Sequence, residues 1–154
     1  MKLAVALSLI TAASASVVNL TPDNYDELTA GKTVFIKYYA PWCGHCQAMS
    51  ADWEKLAGDW ESHEIGLIGE VDCDDQSNDS LCQAAGVQGF PTIKWGEPSE
   101  LQDYQGGRDY GTLSAFAQEN LKPLCSLKNL DLCDDEKKAT INELQNKSLE
   151  ELED

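Results

Sequence analysis

Thr33-Val34-Phe35-Ile36-Lys37-Tyr38-Tyr39-Ala40 runs directly into Pro41-Trp42-Cys43-Gly44-His45-Cys46, and the reading of these fourteen positions decides the fold. Residues 33–40 are apolar or aromatic almost throughout, with Lys37 the exception. A continuous run of this kind suits a central strand covered on both faces. After Cys43 the period changes. Met49, Trp53, Leu56, Ala57 and Trp60 fall at helical spacing, which predicts a helix from about Gly44 to Glu61 with one buried face. Two cysteines separated by Gly-His therefore stand where a buried strand ends and a long helix begins.

That placement carries chemistry. At a helix N-terminus, unpaired backbone N–H groups and the positive end of the helix dipole stabilise an anion. The thiolate is the attacking species in disulfide exchange, so Cys43 is expected to ionise more readily than an ordinary thiol. A protonated His45 would add to the effect. Both influences favour the dithiol over the disulfide and make the pair a better oxidant. Cys46 lies one helical turn on, is expected to be more buried and less ionised, and would resolve a mixed disulfide. Two other readings of the pair stand beside this one. A zinc half-site needs four ligands, and a plain stapling disulfide has no need of a helix start.

Working outward, Val17 to Leu20 reads as a short strand. Thr21-Pro22 is expected to supply an N-cap and first-turn proline for a helix toward Ala30, with Gly31 past its end. Ile65 to Val71 is the next strand. Asp79 or Ser80 caps a short helix ending near Gly86. Thr92 to Trp95 pairs with Leu101 to Tyr104 across the Gly96-Glu97-Pro98-Ser99 turn. Gly106-Gly107 leads to a helix carrying Leu113, Phe116, Ala117 and Leu121 on one face. The order β-α-β-α-β-α-β-β-α predicts an α/β sandwich with a mixed sheet over residues 16–121. Beyond it, residues 122–154 form an acidic helical extension, with a second helix cap expected at Ser148 and Glu151 in the capping-box position.

The chain has 154 residues and a formal net charge of −16, a balance that repels nucleic acid and anionic lipid and so disfavours both as partners. Met1-Lys2, the apolar stretch Leu3 to Ala13 and the small-x-small exit Ala13-Ser14-Ala15 have the parts of a signal peptide over residues 1–15. That stretch is too short to span a bilayer, and no membrane insertion is expected. The reading places the protein in the secretory pathway, where disulfides persist. Six cysteines allow 15 pairings, and local spacing makes 43–46, 73–82 and 125–133 the simplest set. Cys73–Cys82 and Cys125–Cys133 are expected to be structural. Asn19, Asn78 and Asn146 each begin a glycosylation pattern. His63 has no evident partner and reads as a surface residue.

Tyr39-Ala40-Pro41-Trp42-Cys43-Gly44-His45-Cys46, followed by Gly89-Phe90-Pro91-Thr92, resembles a catalytic domain of the protein disulfide isomerase family. The resemblance covers roughly residues 17 to 121. It implies a thioredoxin-like three-layer α/β/α sandwich with Cys43 as nucleophile, Cys46 as resolving thiol and no cofactor or metal. It also implies a cis peptide before Pro91, facing the cysteines, with Trp42, Phe90 and Pro91 binding substrate. Arg108 matches an arginine that family members use to tune the resolving cysteine. The partners implied are unfolded or misoxidised client proteins and a reoxidising protein, in the endoplasmic reticulum lumen. The chain ends Glu150-Glu151-Leu152-Glu153-Asp154, without a Lys/His-Asp-Glu-Leu retention signal, which leaves export open. Lys37 departs from the family, standing where a buried glutamate often assists proton transfer. It is expected either to snorkel or to sit partly buried. A chaperone or adaptor without turnover is the alternative function. The intact Cys-Gly-His-Cys favours an enzyme.

Overall fold

A computed structural model describes residues 17–125 and 129–153, so the signal-peptide reading of residues 1–15 lies outside the described residues. The elements follow the expected order: β1 (Val18–Asn19), α1 (Tyr25–Thr29), β2 (Thr33–Tyr39), α2 (Gly44–Asp59), β3 (Gly66–Asp72), α3 (Asp79–Ala84), β4 (Thr92–Glu97), β5 (Glu100–Asp103) and α4 (Tyr110–Asn120). After them come a short 3₁₀ turn, Leu130–Leu132, and α5 (Asp135–Glu153). The sheet order is β1-β3-β2-β4-β5, with β1, β3 and β2 parallel and β4 and β5 antiparallel.

Period-two alternation along β2 sorts its side chains between two apolar layers. Phe35 joins Met49, Trp53, Leu56, Ile68, Ile93, Leu113 and Ala117 under α2 and α4. Val34, Ile36 and Tyr38 join Leu20, Leu67, Val71 and Cys82 under α1 and α3. Both faces of β2 are covered, which explains its nearly continuous apolar run, broken only by Lys37. Close packing also fixes Gly66: a Cβ there would stand 2.5 Å from the Trp60 ring.

Three local expectations change. Residues 21–24 form a turn before α1 rather than its first turn, because the Asn24 side chain accepts from the Thr21 N–H at 2.8 Å while the Thr21 carbonyl accepts from Asn24 and Tyr25. The helix therefore begins at Tyr25. α5 runs unbroken through residue 148, so no second cap stands at Ser148. His63 is not a partnerless surface residue. Its Nδ1 accepts from the N–H groups of Ile65 and Gly66 at 3.2 and 3.3 Å, and its ring lies 4.5 Å from that of Trp60, so it holds the entry to β3. Of the glycosylation patterns, Asn78 is buried and donates to the Asp72 carbonyl, which closes it to a glycan in the folded chain.

Burial raises the Tyr38 phenol well above its ordinary value, and burial with the nearby Glu70 and Asp72 carboxylates pushes Tyr39 up to about 12. The folded state thus keeps phenolic protons that the unfolded chain releases from about pH 10. With more protons bound in the folded state, stability falls as pH rises from about 10 toward 12. Thermal midpoints across that window should decline, and Tyr39→Phe should flatten the decline. A slope unchanged by this substitution would remove Tyr39 from the account.

Candidate active site

The strand-to-helix junction positions the two central thiols. Cys43 has extended backbone and stands at the N-cap of α2, where its Sγ accepts the Cys46 N–H at 3.2 Å. A sulfur that accepts a backbone N–H at a helix start is favoured as an anion. Cys43 and Cys46 are joined as a disulfide with Cα atoms 5.2 Å apart. Cys43 is 6% exposed and Cys46 2%, so the outer sulfur is the one a partner can approach. Gly44 and His45 are exposed on the first turn. The Gln47 side chain donates to the Pro41 carbonyl at 2.8 Å, bracing the turn that presents the pair.

Around the sulfurs, Ala40, Cys43 and Cys46 form a small buried cluster against which Tyr39 and Phe90 pack. The Phe90–Pro91 peptide bond is cis. Trp42 is 66% exposed, its ring edge-on to Phe90 at 5.8 Å, and its Nε1 donates to Asp74 at 2.9 Å. Trp42 and Phe90 thus make an apolar shelf beside Cys43. Arg108 is exposed and lines a polar cavity of about 320 Å³ together with Pro91, Thr92 and Tyr104. It shares that cavity with the proline loop and, among the described residues, has no ion-pair partner.

Lys37 does not snorkel; it is buried, the second of the two alternatives, and it is paired. Its ammonium is 2.7 Å from Glu70, the residue directly opposite on β3, and the two side chains are 4% and 14% exposed. The Tyr39 and Trp53 rings flank the ammonium at 4.9 and 5.8 Å. A carboxylate thus stands beside this position on the neighbouring strand, paired with the lysine. Glu70 and Asp74 are the polar residues that reading the sequence passed over. Glu70 is the one charged residue in the run from Ile65 to Val71 and so was open to notice as the counterpart of Lys37.

Cys73–Cys82 and Cys125–Cys133 are disulfide-bonded, leaving no free cysteine among the described residues. The described residues hold no cluster of three or more candidate metal ligands. No described helix is long and apolar enough to cross a membrane.

Comparison with known proteins agrees with this geometry. The family profile described as Thioredoxin matches residues 16–119. A protein disulfide-isomerase-like protein of Emiliania huxleyi, EhSep2, is 45% identical over 135 residues, covering 85% of this chain and 60% of that one. Protein disulfide-isomerase tigA of Aspergillus niger is 41% identical over 73% of this chain and 32% of its own length. The chain therefore spans between about a third and three fifths of these two relatives. Among solved structures, the first thioredoxin domain of mouse protein disulfide-isomerase A4 superposes with a TM-score of 0.57 at 30% identity, covering 66% of this chain and 72% of that domain. The Trx4 domain of ERdj5 gives 0.55 at 28% identity and is covered to 96%. The chain belongs to the thioredoxin family, as a single thioredoxin domain of the protein disulfide isomerase kind.

Proposed function

We propose that the protein oxidises and isomerises disulfides in client proteins through the Cys43–Cys46 pair, in the lumen of the secretory pathway. The observation that carries this reading is the Cys43 sulfur at the helix start, accepting a backbone N–H and bordered by an exposed aromatic shelf. In oxidation, a client thiolate attacks the Cys43 Sγ, and the Cys46 thiolate leaves. A second client thiolate then attacks the client sulfur of the mixed disulfide, releasing Cys43 as a thiolate stabilised by the helix start. The client gains one disulfide, and the enzyme ends as a dithiol that a reoxidising partner restores. Isomerisation starts from the dithiol: Cys43 attacks a wrong client disulfide and is expelled by another client thiol, with no net redox change.

Trp42, Phe90 and the cis Pro91 are read as the surface that holds the client chain, and Arg108 as a residue that tunes Cys46. Residues 16–121 are the working domain and residues 122–154 an extension that carries its own disulfide, Cys125–Cys133. The opposing reading is a chaperone or adaptor that binds clients without turnover. Regain of ribonuclease activity from the scrambled enzyme separates the two, since only an exchange catalyst accelerates it. The reduction potential separates an oxidase or isomerase, near roughly −180 mV, from a reductase, near roughly −270 mV.

The alkylation rate of reduced Cys43 is expected to rise with a midpoint well below the roughly 8.5 of a free cysteine. A midpoint at the free value would leave the helix start without influence. His45→Ala should move the midpoint upward.

A further inference from the structure

We propose that Asp74 positions Trp42 on the client-binding face, and that the Cys73–Cys82 disulfide, by closing the loop carrying Asp74, makes the grip on clients depend on a second redox centre. The proposal rests on the disulfide-exchange reading above and adds a positioning residue and a control to the same site.

Trp42 lies in the turn between β2 and α2, two thirds exposed, and an exposed indole has several rotamers open to it. The side-chain contacts that single out one of them are the edge contact with Phe90 and the N–H donated to the Asp74 carboxylate. A charged acceptor makes this hydrogen bond stronger than a neutral one would. Asp74 is in turn held by its surroundings. The preceding residue, Cys73, donates its N–H to the Tyr39 carbonyl at 2.8 Å, carrying the β2–β3 register one residue beyond β3. The Asp74 N–H is bound by the Asp72 carboxylate at 2.9 Å. The chain then makes the 3₁₀ turn Gln76–Asn78, and Asn78, 4% exposed, donates back to the Asp72 carbonyl at 2.9 Å. The loop ends at Cys82, buried in the layer under α3 and bonded to Cys73 nine residues earlier.

The disulfide therefore closes a short loop whose first residue, Asp74, sits at the bridged base and reaches the shelf beside the nucleophile. A dithiol reductant supplies two electrons and two protons, leaves Cys73 and Cys82 as thiols and departs as its own disulfide. The loop then keeps its hydrogen bonds and the packing of Cys82 and Leu81 but loses its covalent closure, and Asp74 and the Trp42 rotamer it selects become less defined. Opening this bond weakens the site for an unfolded chain, which needs the shelf, more than for a small disulfide, which needs mainly the Cys43 sulfur.

The test uses the full chain, with Asp74→Ala, Asp74→Asn and the double variant Cys73→Ala/Cys82→Ala. It reads two things: the Trp42 indole N–H signal and its hydrogen exchange by NMR, and KM and kcat on scrambled ribonuclease beside those on a small aromatic disulfide. Asp74→Ala is expected to unprotect the Trp42 N–H and raise KM for ribonuclease about three- to tenfold, with a smaller effect on the small disulfide. Asp74→Asn keeps an acceptor oxygen and should restore most of both readouts. The double variant should shift them in the same direction as Asp74→Ala, with Asp74→Ala standing as the test should the double variant not fold. An unmoved Trp42 signal in Asp74→Ala, or an unmoved KM in an active protein, overturns the proposal. A folded double variant with the Trp42 signal of the parent overturns the redox control. If the parent turns over no ribonuclease, the functional reading fails, and the indole signal still decides whether Asp74 positions Trp42.

Discussion

Replacing Cys43 with serine is expected to lower turnover of scrambled ribonuclease by at least two orders of magnitude while leaving the fold in place. The size of the effect follows from the chemistry: exchange requires a sulfur that forms and breaks an S–S bond, and an alcohol oxygen cannot enter one. The substitution removes the one sulfur that, among the described residues, stands at a helix N-cap. Cys46→Ser should give a different picture. Cys43 would still attack, but the resolving thiol would be gone, so mixed disulfides with clients should accumulate and be visible on a non-reducing gel. Mass mapping of the mildly reduced parent should return Cys43–Cys46 opened first, with Cys73–Cys82 and Cys125–Cys133 intact. A Cys43→Ser variant that keeps near-parental turnover, or Cys46 recovered mainly on Cys73 or Cys125, would place the working thiols elsewhere.

The parts of this protein that were legible in the sequence share one property: they depend on neighbours along the chain. The apolar run of β2, the helical period after Cys43 and the cysteine pair between them are local patterns, and the layer order follows from them. Local spacing likewise matched each cysteine to its partner. What escaped depends on contacts across strands and loops. Nothing in the spacing of Lys37 and Glu70 reveals that parallel pairing of β2 and β3 puts them face to face. The Trp42–Asp74 hydrogen bond spans 32 residues for the same reason. His63 escaped because its partners are backbone N–H groups, which no side-chain pattern displays. The start of α1 was misplaced by a competition between two capping residues, in which Asn24 turned back on Thr21 and moved the helix onward.

Lys37→Met is expected to cost the protein about 3 kcal/mol, the lower end of the roughly 3–5 kcal/mol that follows removal of one partner from a buried ion pair. The lower end applies because Glu70 keeps 14% of its side chain accessible and retains some hydration when Lys37 is gone. Lys37→Glu should cost at least as much, since it sets two carboxylates in direct register on adjacent strands. The double variant Lys37→Met/Glu70→Leu should recover most of the loss, because an apolar pair of similar volume at a buried site is often neutral or stabilising. Denaturant unfolding of the four proteins gives these differences directly. The same series tests the site's electrostatics. Lys37 alone would favour a thiolate at Cys46, but with Glu70 2.7 Å away the pair presents almost no net charge to the layer under α2. Removing only the lysine leaves a bare carboxylate there, so reduced Cys46 should give up its proton less readily in Lys37→Met than in the parent. The double variant should return to the parental value. Equal alkylation profiles for Cys46 in all four proteins would show that the pair holds β2 to β3 and has no part in the exchange chemistry. A profile that moves with Lys37→Met and returns in the double variant would show that the balance of the two charges is felt at the Cys46 thiol.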